Sequence, residues 1–174
     1  MSATYISNMS HYTQVIEKVC SVKHILWIGT ADIKDLYIKA GLKDSEPFLK
    51  VLADLIKRGV EVRLIHAKEP GTNFRTDFDK YPVLAQRLER VLCPRVHFKL
   101  MIFDLETVYI GSANLTGAGM GMKGEHTRNF EAGIFNDLNF RNCIPVGMLR
   151  SVEKNDAPAL LHPVKDASLY GMQF

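Results

Sequence analysis

The stretch HFKLMIFD, residues 97–104, is the part of the chain from which the rest can be read. Its apolar residues predict a buried β-strand, yet His97 and Lys99 interrupt it two positions apart and Asp104 closes it. Strand side chains alternate between faces, so His97, Lys99, Met101 and Phe103 share one face while Val96, Phe98, Leu100 and Ile102 share the other. One end of the first face is therefore polar. VYIGSAN, residues 108–114, follows after only DLET, which predicts an antiparallel hairpin. Setting Phe103 opposite Val108 places His97 opposite Asn114 and Lys99 opposite Ser112. An imidazole, an ammonium, an amide and a hydroxyl then converge, a set suited to a tetrahedral oxyanion. Lys99 and Asn114 can hold the non-bridging oxygens of a phosphodiester and stabilise a five-coordinate transition state, while the imidazole attacks or moves protons. Gly111 allows close backbone approach. Taken singly, a strand histidine is usually structural and a lysine usually reaches out to water; their joint placement points to chemistry.

Outward from this hairpin, the chain alternates helical and strand-like segments. From Ser10, read as an N-cap, Tyr12, Val15, Ile16 and Val19 recur at helical spacing, and HILWIGT (24–30) reads as a buried strand. Ile33, Leu36, Tyr37 and Ala40 predict a second helix ended by Gly41. Ser45 caps a third, with an apolar stripe of Phe48, Leu49, Leu52, Leu55 and Ile56; Gly59 stops it and VEVRLIH (60–66) alternates as a strand. AKEPGTNFRTDFDKYP (67–82), with two prolines and a glycine, reads as a surface loop, either a plain connector or the flank of a site. Leu84, Leu88, Val91 and Leu92 predict a fourth helix that Pro94 stops. This rhythm predicts an α/β fold, a mixed β-sheet sandwiched between helices.

A length of 174 residues suits one domain, 1–174, with residues 138–174 as a C-terminal extension. Hydrophobic residues at 47% and charged residues at 24% describe a folded globular chain rather than a disordered one. The formal charge of +3 is too mild to announce a nucleic-acid binder, though it does not repel an anionic substrate. Cys20, Cys93 and Cys143 lack zinc or disulfide spacing and read as reduced core thiols. The start, MSATYISNMSHYTQ, has no basic region followed by an apolar run, and no stretch nears the roughly 18 apolar residues of a membrane span. These features predict a cytoplasmic protein without a membrane anchor.

The pattern His97-x-Lys99, four residues, Asp104, six residues, Gly111-Ser112-x-Asn114 resembles the HKD signature of the phospholipase D superfamily. NFEAGIF (129–135) is similar to the strand on which that family carries an acidic residue, which maps to Glu131. RGVEVRLIH (58–66) and the helix before it resemble the segment preceding the motif, so the likeness spans residues 10–137 and is most specific over 95–133. The resemblance implies a phospholipase D-like α/β/α fold and a phosphodiesterase that needs no metal or cofactor and works through a covalent phosphohistidine. His97 would be the nucleophile, Lys99 and Asn114 would hold the phosphate, Ser112 would assist, Glu131 would orient the imidazole and Asp104 would support the turn. Only one motif is present. Single-motif members of the family, small endonucleases among them, pair across a two-fold axis. The resemblance therefore implies a homodimer with the active site at the interface, His97 of a second chain serving as acid.

Substrate choice rests on secondary features. LTGAGMGMKGEHTR (115–128) is a longer glycine-rich insert than the compact members carry; it is either a floppy loop or a segment that orders on binding, with Lys123, His126 and Arg128 tracking a nucleic-acid backbone. Arg87, Arg90, Arg95, Lys99, Lys123 and Arg128 gather near the motif, although Arg87 and Arg90 also suit a solvated helix face. The tail has three prolines and no long apolar stripe, and covers an edge strand or completes the dimer. Without an anchor or interfacial helix, a nuclease acting on DNA or RNA leads over a phospholipid phosphodiesterase. A non-catalytic nucleic-acid-binding module is the reading from a different class, but such a module has no need of a nucleophilic histidine.

Overall fold

The computed structural model describes residues 3–34, 36–39 and 44–137. Seven strands build one mixed sheet: β1 (Ala3–Ser7), β2 (Ile25–Thr30), β6 (Glu61–His66), β7 (Glu89–Leu92), β8 (Leu100–Phe103), β9 (Thr107–Gly111) and β11 (Ala132–Asp137), in the order β1-β11-β9-β8-β2-β6-β7. β2, β6 and β7 run parallel, because helices connect them; β8, β9, β11 and β1 pair antiparallel beside them. The protein is thus of the α/β class, a large mixed sheet flanked by helices.

Period-2 alternation separates the two faces of the sheet. Leu26, Ile28, Val62, Leu64, Met101, Phe103 and Tyr109 point to one face and join a single core cluster with Val15, Ile16 and Val19, with Leu52, Leu55 and Ile56 of α2 (Phe48–Lys57), with Phe74 of α3 (Thr72–Asp79) and with Leu84 of α4 (Pro82–Arg87). The described helices therefore share one face, as right-handed crossovers β2-α2-β6 and β6-α3-α4-β7 stepping in the same direction require. Leu52 and Leu55 are fully buried in the cluster, so truncating either to alanine would cost about 2–5 kcal/mol. Gly59 ends α2 with φ +92°, a left-handed cap. The amide of Val60 reaches back to the carbonyl of Leu55 at 3.1 Å.

Several elements depart from the sequence reading. The first helix starts as a π-helical turn, His11–Ile16, before α1 (Glu17–Val19), and Ser10 makes no side-chain cap. The expected second helix is two short strands, β3 (Ile33–Lys34) and β4 (Tyr37–Lys39), because each finds a strand partner: β10 (Leu115–Thr116), far along the chain, and the nearby β5 (Ser45–Pro47). Ser45 accordingly lies in a strand, and α2 is capped at Pro47; Gly41 lies outside the described residues. The expected surface loop contains α3, built on an i,i+4 pair, Phe74 and Phe78, whose rings stack at 6.0 Å. The fourth helix stops at Arg87, since residues 89–92 pair with β6 as an edge strand instead. Cys20 is exposed and Cys93 half-buried, so neither is a core thiol; both are free, and Cys143 lies outside the described residues.

Candidate active site

The β8-β9 hairpin carries most of the site. Its pairs run from Leu100↔Ile110 to Phe103↔Thr107, one residue away from the expected register. The loop is the reason: Asp104 and Leu105 both take left-handed backbone, φ 51° and 57°, and Glu106 closes onto the carbonyl of Phe103 at 2.9 Å. Three residues suffice for the turn where four were assumed. Lys99 therefore lies opposite Gly111, whose amide donates to its carbonyl at 3.1 Å, and not opposite Ser112. His97 and Lys99 precede the first paired residue of β8, at the end of the sheet where the parallel strands β2 and β6 have their carboxyl ends. Open α/β sheets bind ligands at this end.

Lys99 is 8% exposed; its Nζ donates to the carbonyl of His97 at 2.7 Å and lies 3.5 Å from His97 Nε2. His97 itself is exposed. Beside it, at the head of β11, the hydroxyl of Ser112 donates to Glu131 and accepts from the amide of Ala132 at 3.1 Å. Asn129 donates to the other carboxylate oxygen of Glu131 at 3.0 Å. Glu131, expected to hold the imidazole, thus takes Ser112 and Asn129 as its hydrogen-bond partners. Its backbone is clamped by Asn8, which donates its amide to the carbonyl of Glu131 at 3.1 Å and accepts the Glu131 amide on Oδ1 at 3.3 Å. Asn114 is half-buried in the loop after β9; its Oδ1 is shielded from solvent and without a hydrogen-bond partner.

Behind these groups sits a buried pair. His11, fully buried, meets the ring of Tyr109 edge-on at 5.5 Å, with Nδ1 3.0 Å from the carbonyl of Asn8. Burial lowers the pKa of His11, against the opposing pull of the Asn8 carbonyl and the Glu131 charge, and burial raises that of Tyr109. Tyr109 occupies the space that side chains at Gly111 and Gly133 would need: a Cβ would stand 2.3 Å from its hydroxyl at the first and 2.6 Å from its ring at the second.

Asp104 lies at the far end of β8 from His97. Its carboxylate accepts the amides of Lys23, His24 and Ile25 at 2.7–3.2 Å, fastening the hairpin turn to the start of β2. Desolvation works to raise its pKa, but the three amides outweigh it and hold the pKa below the ordinary value. The glycine-rich insert divides in two. Residues 115–122 are folded in, with Leu115 and Met120 buried and the Leu115 amide on the hydroxyl of Thr30 at 3.0 Å, so this half is no floppy loop. The run from Lys123 to Phe130 is largely exposed and carries Lys123, His126 and Arg128. Arg87 and Arg95 are exposed. Arg90 is not on a solvated helix face: it lies in β7, donates to Nε2 of buried His66 at 2.8 Å and packs over the rings of Phe74 and Phe78. Among the described residues, no three His, Cys, Asp or Glu side chains cluster as metal ligands would, and no helix is long and apolar enough to cross a membrane.

Residues 17–138 match the family described as "Cardiolipin synthase, PLD-like domain". The chain belongs to the phospholipase D superfamily. Solved structures share its fold at low sequence identity. Nuc from Salmonella typhimurium, a phospholipase D family member, is 17% identical with a TM-score of 0.58, covering 95% of this chain and 100% of its own. NucT from Helicobacter pylori is 13% identical with a TM-score of 0.58, covering 92% and 98%. TrmBL2, an archaeal chromatin protein with a novel mode of DNA binding, is 15% identical with a TM-score of 0.51, covering 94% of this chain and 55% of its own. A search of curated proteins gave no match. Superfamily members are phosphodiesterases, and in this one His97 and Lys99 lie at one end of β8 with Asp104 at the other.

Proposed function

We infer that the protein hydrolyses phosphodiester bonds of nucleic acid, DNA or RNA, through a covalent phosphohistidine formed on His97. The observation that carries this reading is the pairing of His97 with Lys99: an exposed imidazole whose Nε2 lies 3.5 Å from a nearly buried ammonium. A phosphate oxygen drawn to Lys99 brings phosphorus within reach of that nitrogen. Ser112 supports the assignment by elimination, since its hydroxyl proton is committed to Glu131 and its oxygen already accepts an amide. It is a positioning group rather than a nucleophile. The Asn114 carboxamide joins Lys99 in holding the phosphate.

Nε2 of His97 attacks phosphorus as the P–O bond to the leaving group breaks, and the departing oxygen takes a proton. Water then attacks the phosphohistidine, the P–N bond breaks and His97 is regenerated. Both proton transfers need a second imidazole, and with one motif per chain it comes from His97 of the partner subunit in a two-fold dimer. Exposed Lys123 and Arg95 and half-buried Arg128 supply charge for a polyanion.

Intact-protein mass after a rapid denaturing quench, with short single- and double-stranded DNA and with wild type and His97→Ala, tests the reading. A nucleotide-sized adduct in wild type alone is expected. Equal cleavage by His97→Ala would overturn the mechanism. Absence of both adduct and cleavage would move phospholipid hydrolysis or a binding-only role ahead.

A further inference from the structure

The exposed run that precedes β11 ends in a side chain the fold does not use. Phe130 is 94% exposed, and it directly precedes Glu131. The backbone beneath it is nonetheless anchored. The Asn129 amide donates to the carbonyl of Ala118 at 3.1 Å, and both backbone groups of Glu131 are held by Asn8. A solvated ring on a fixed backbone contributes nothing to the core, so its surface is free to take a partner.

Its position says which partner. Phe130 directly precedes Glu131, which accepts the Ser112 hydroxyl, and Phe98, 42% exposed, directly precedes Lys99. The two rings differ in use. Phe98 lies against Gly29, where a Cβ would stand 2.1 Å from the ring, so one of its faces belongs to the fold. Both faces of Phe130 are open. The geometry points to Phe130 as a stacking platform for an unpaired base next to the scissile phosphate, which makes single-stranded nucleic acid the substrate class.

In a duplex each base is already covered by its neighbours, and offering a face to Phe130 would require unstacking; a single strand offers one without that cost. Lys123 and Arg128 in the same run supply the charge that accompanies such platforms in single-strand grooves. This inference rests on the nuclease reading above and narrows it.

The test compares wild type, Phe130→Ala and Phe130→Trp on a single-stranded oligonucleotide, its duplex and the small diester bis(4-nitrophenyl) phosphate, with sedimentation velocity on each protein. Wild type should cut the single strand faster than the duplex. In Phe130→Ala, the ratio of kcat/KM on the single strand to that on the small diester should fall about tenfold, the scale of one base-aromatic stack, and tryptophan should restore it. An unchanged ratio would overturn the inference. So would an equal loss on both substrates, which would make Phe130 a support for Glu131. Dissociation of the Phe130→Ala dimer would place the ring between subunits, and loss of wild-type binding to phosphatidylglycerol vesicles would make it a lipid-inserting ring; either result refutes stacking. Failure of the nuclease reading is distinguishable, because wild type itself would then leave both oligonucleotides uncut.

Discussion

His97 and Asp104 belong to one sequence motif but stand at opposite ends of one strand, and the two ends are built to opposite rules. At the Asp104 end every interaction is complete: three backbone amides converge on a carboxylate that ties the hairpin turn to β2. At the His97 end polar groups are left with capacity. The imidazole is exposed, the Lys99 ammonium reaches it only at 3.5 Å, and Asn114 Oδ1 lacks a partner. Saturated groups stabilise and incomplete groups bind, so one motif serves both the fold and the proposed chemistry.

The largest expected effect tests this division at the site end. His97→Ala should lower turnover by at least about 10⁴-fold while changing unfolding free energy by no more than roughly 0.5 kcal/mol, because the side chain is exposed. Steady-state assays and urea melts on one preparation would check both. Asp104→Ala should do the reverse, costing about 2–4 kcal/mol by urea denaturation, since three amides lose a charged acceptor. A loss of turnover in folded Asp104→Ala as large as that of His97→Ala would break the comparison.

Acid should separate the two ends more gently. His11 and His66, both buried near the site end, have pKa values lowered by burial, and at His66 by the adjacent Arg90 as well. Between the ordinary value of 6.5 and those lower folded values the unfolded chain binds more protons. Stability therefore falls as pH drops through 6.5, measurable as a decline in urea midpoint that a His66→Asn variant should flatten. Asp104 has the opposite sign and a lower window. Its contribution is complete above the ordinary carboxylate value and disappears only as pH falls through its depressed one. The smallest effect is expected from chelation: EDTA should change turnover by less than about twofold, and a larger loss would mean that a metal supplies what the incomplete groups were assigned.

The motif residues were legible because alternation and spacing are local. Neither depends on distant parts of the chain, and the hairpin brought His97, Lys99 and Ser112 to one end even though its register shifted by a residue. That shift was not legible, since it depends on two consecutive left-handed residues, Asp104 and Leu105, of which the second carries no turn signature. The segment from Ile33 to Lys39 read as helical because the strands that recruit it come from residues 45–47 and 115–116. Prolines and charge concealed the Phe74-Phe78 pair that builds α3, and Arg90 read as solvent-facing because nothing in its neighbourhood announces buried His66. Asn8 and Asn129 escaped notice altogether. An asparagine that clamps a backbone has no periodicity, and its one signal here, the φ of 46° at Asn8, exists only in the folded chain.

The packing of Tyr109 beneath two glycines makes positions 109, 111 and 133 a single unit of volume. Alanine at Gly111 or Gly133 has no room while the tyrosine ring is present, so no one-step path leads away from either glycine without damage. A library that randomises the three positions separately would find all of them intolerant. One that varies them together should recover combinations in which a shorter side chain at 109 makes room for a methyl group at 133, while at 111 the Ala132 carbonyl, 2.8 Å from such a methyl, still stands in the way.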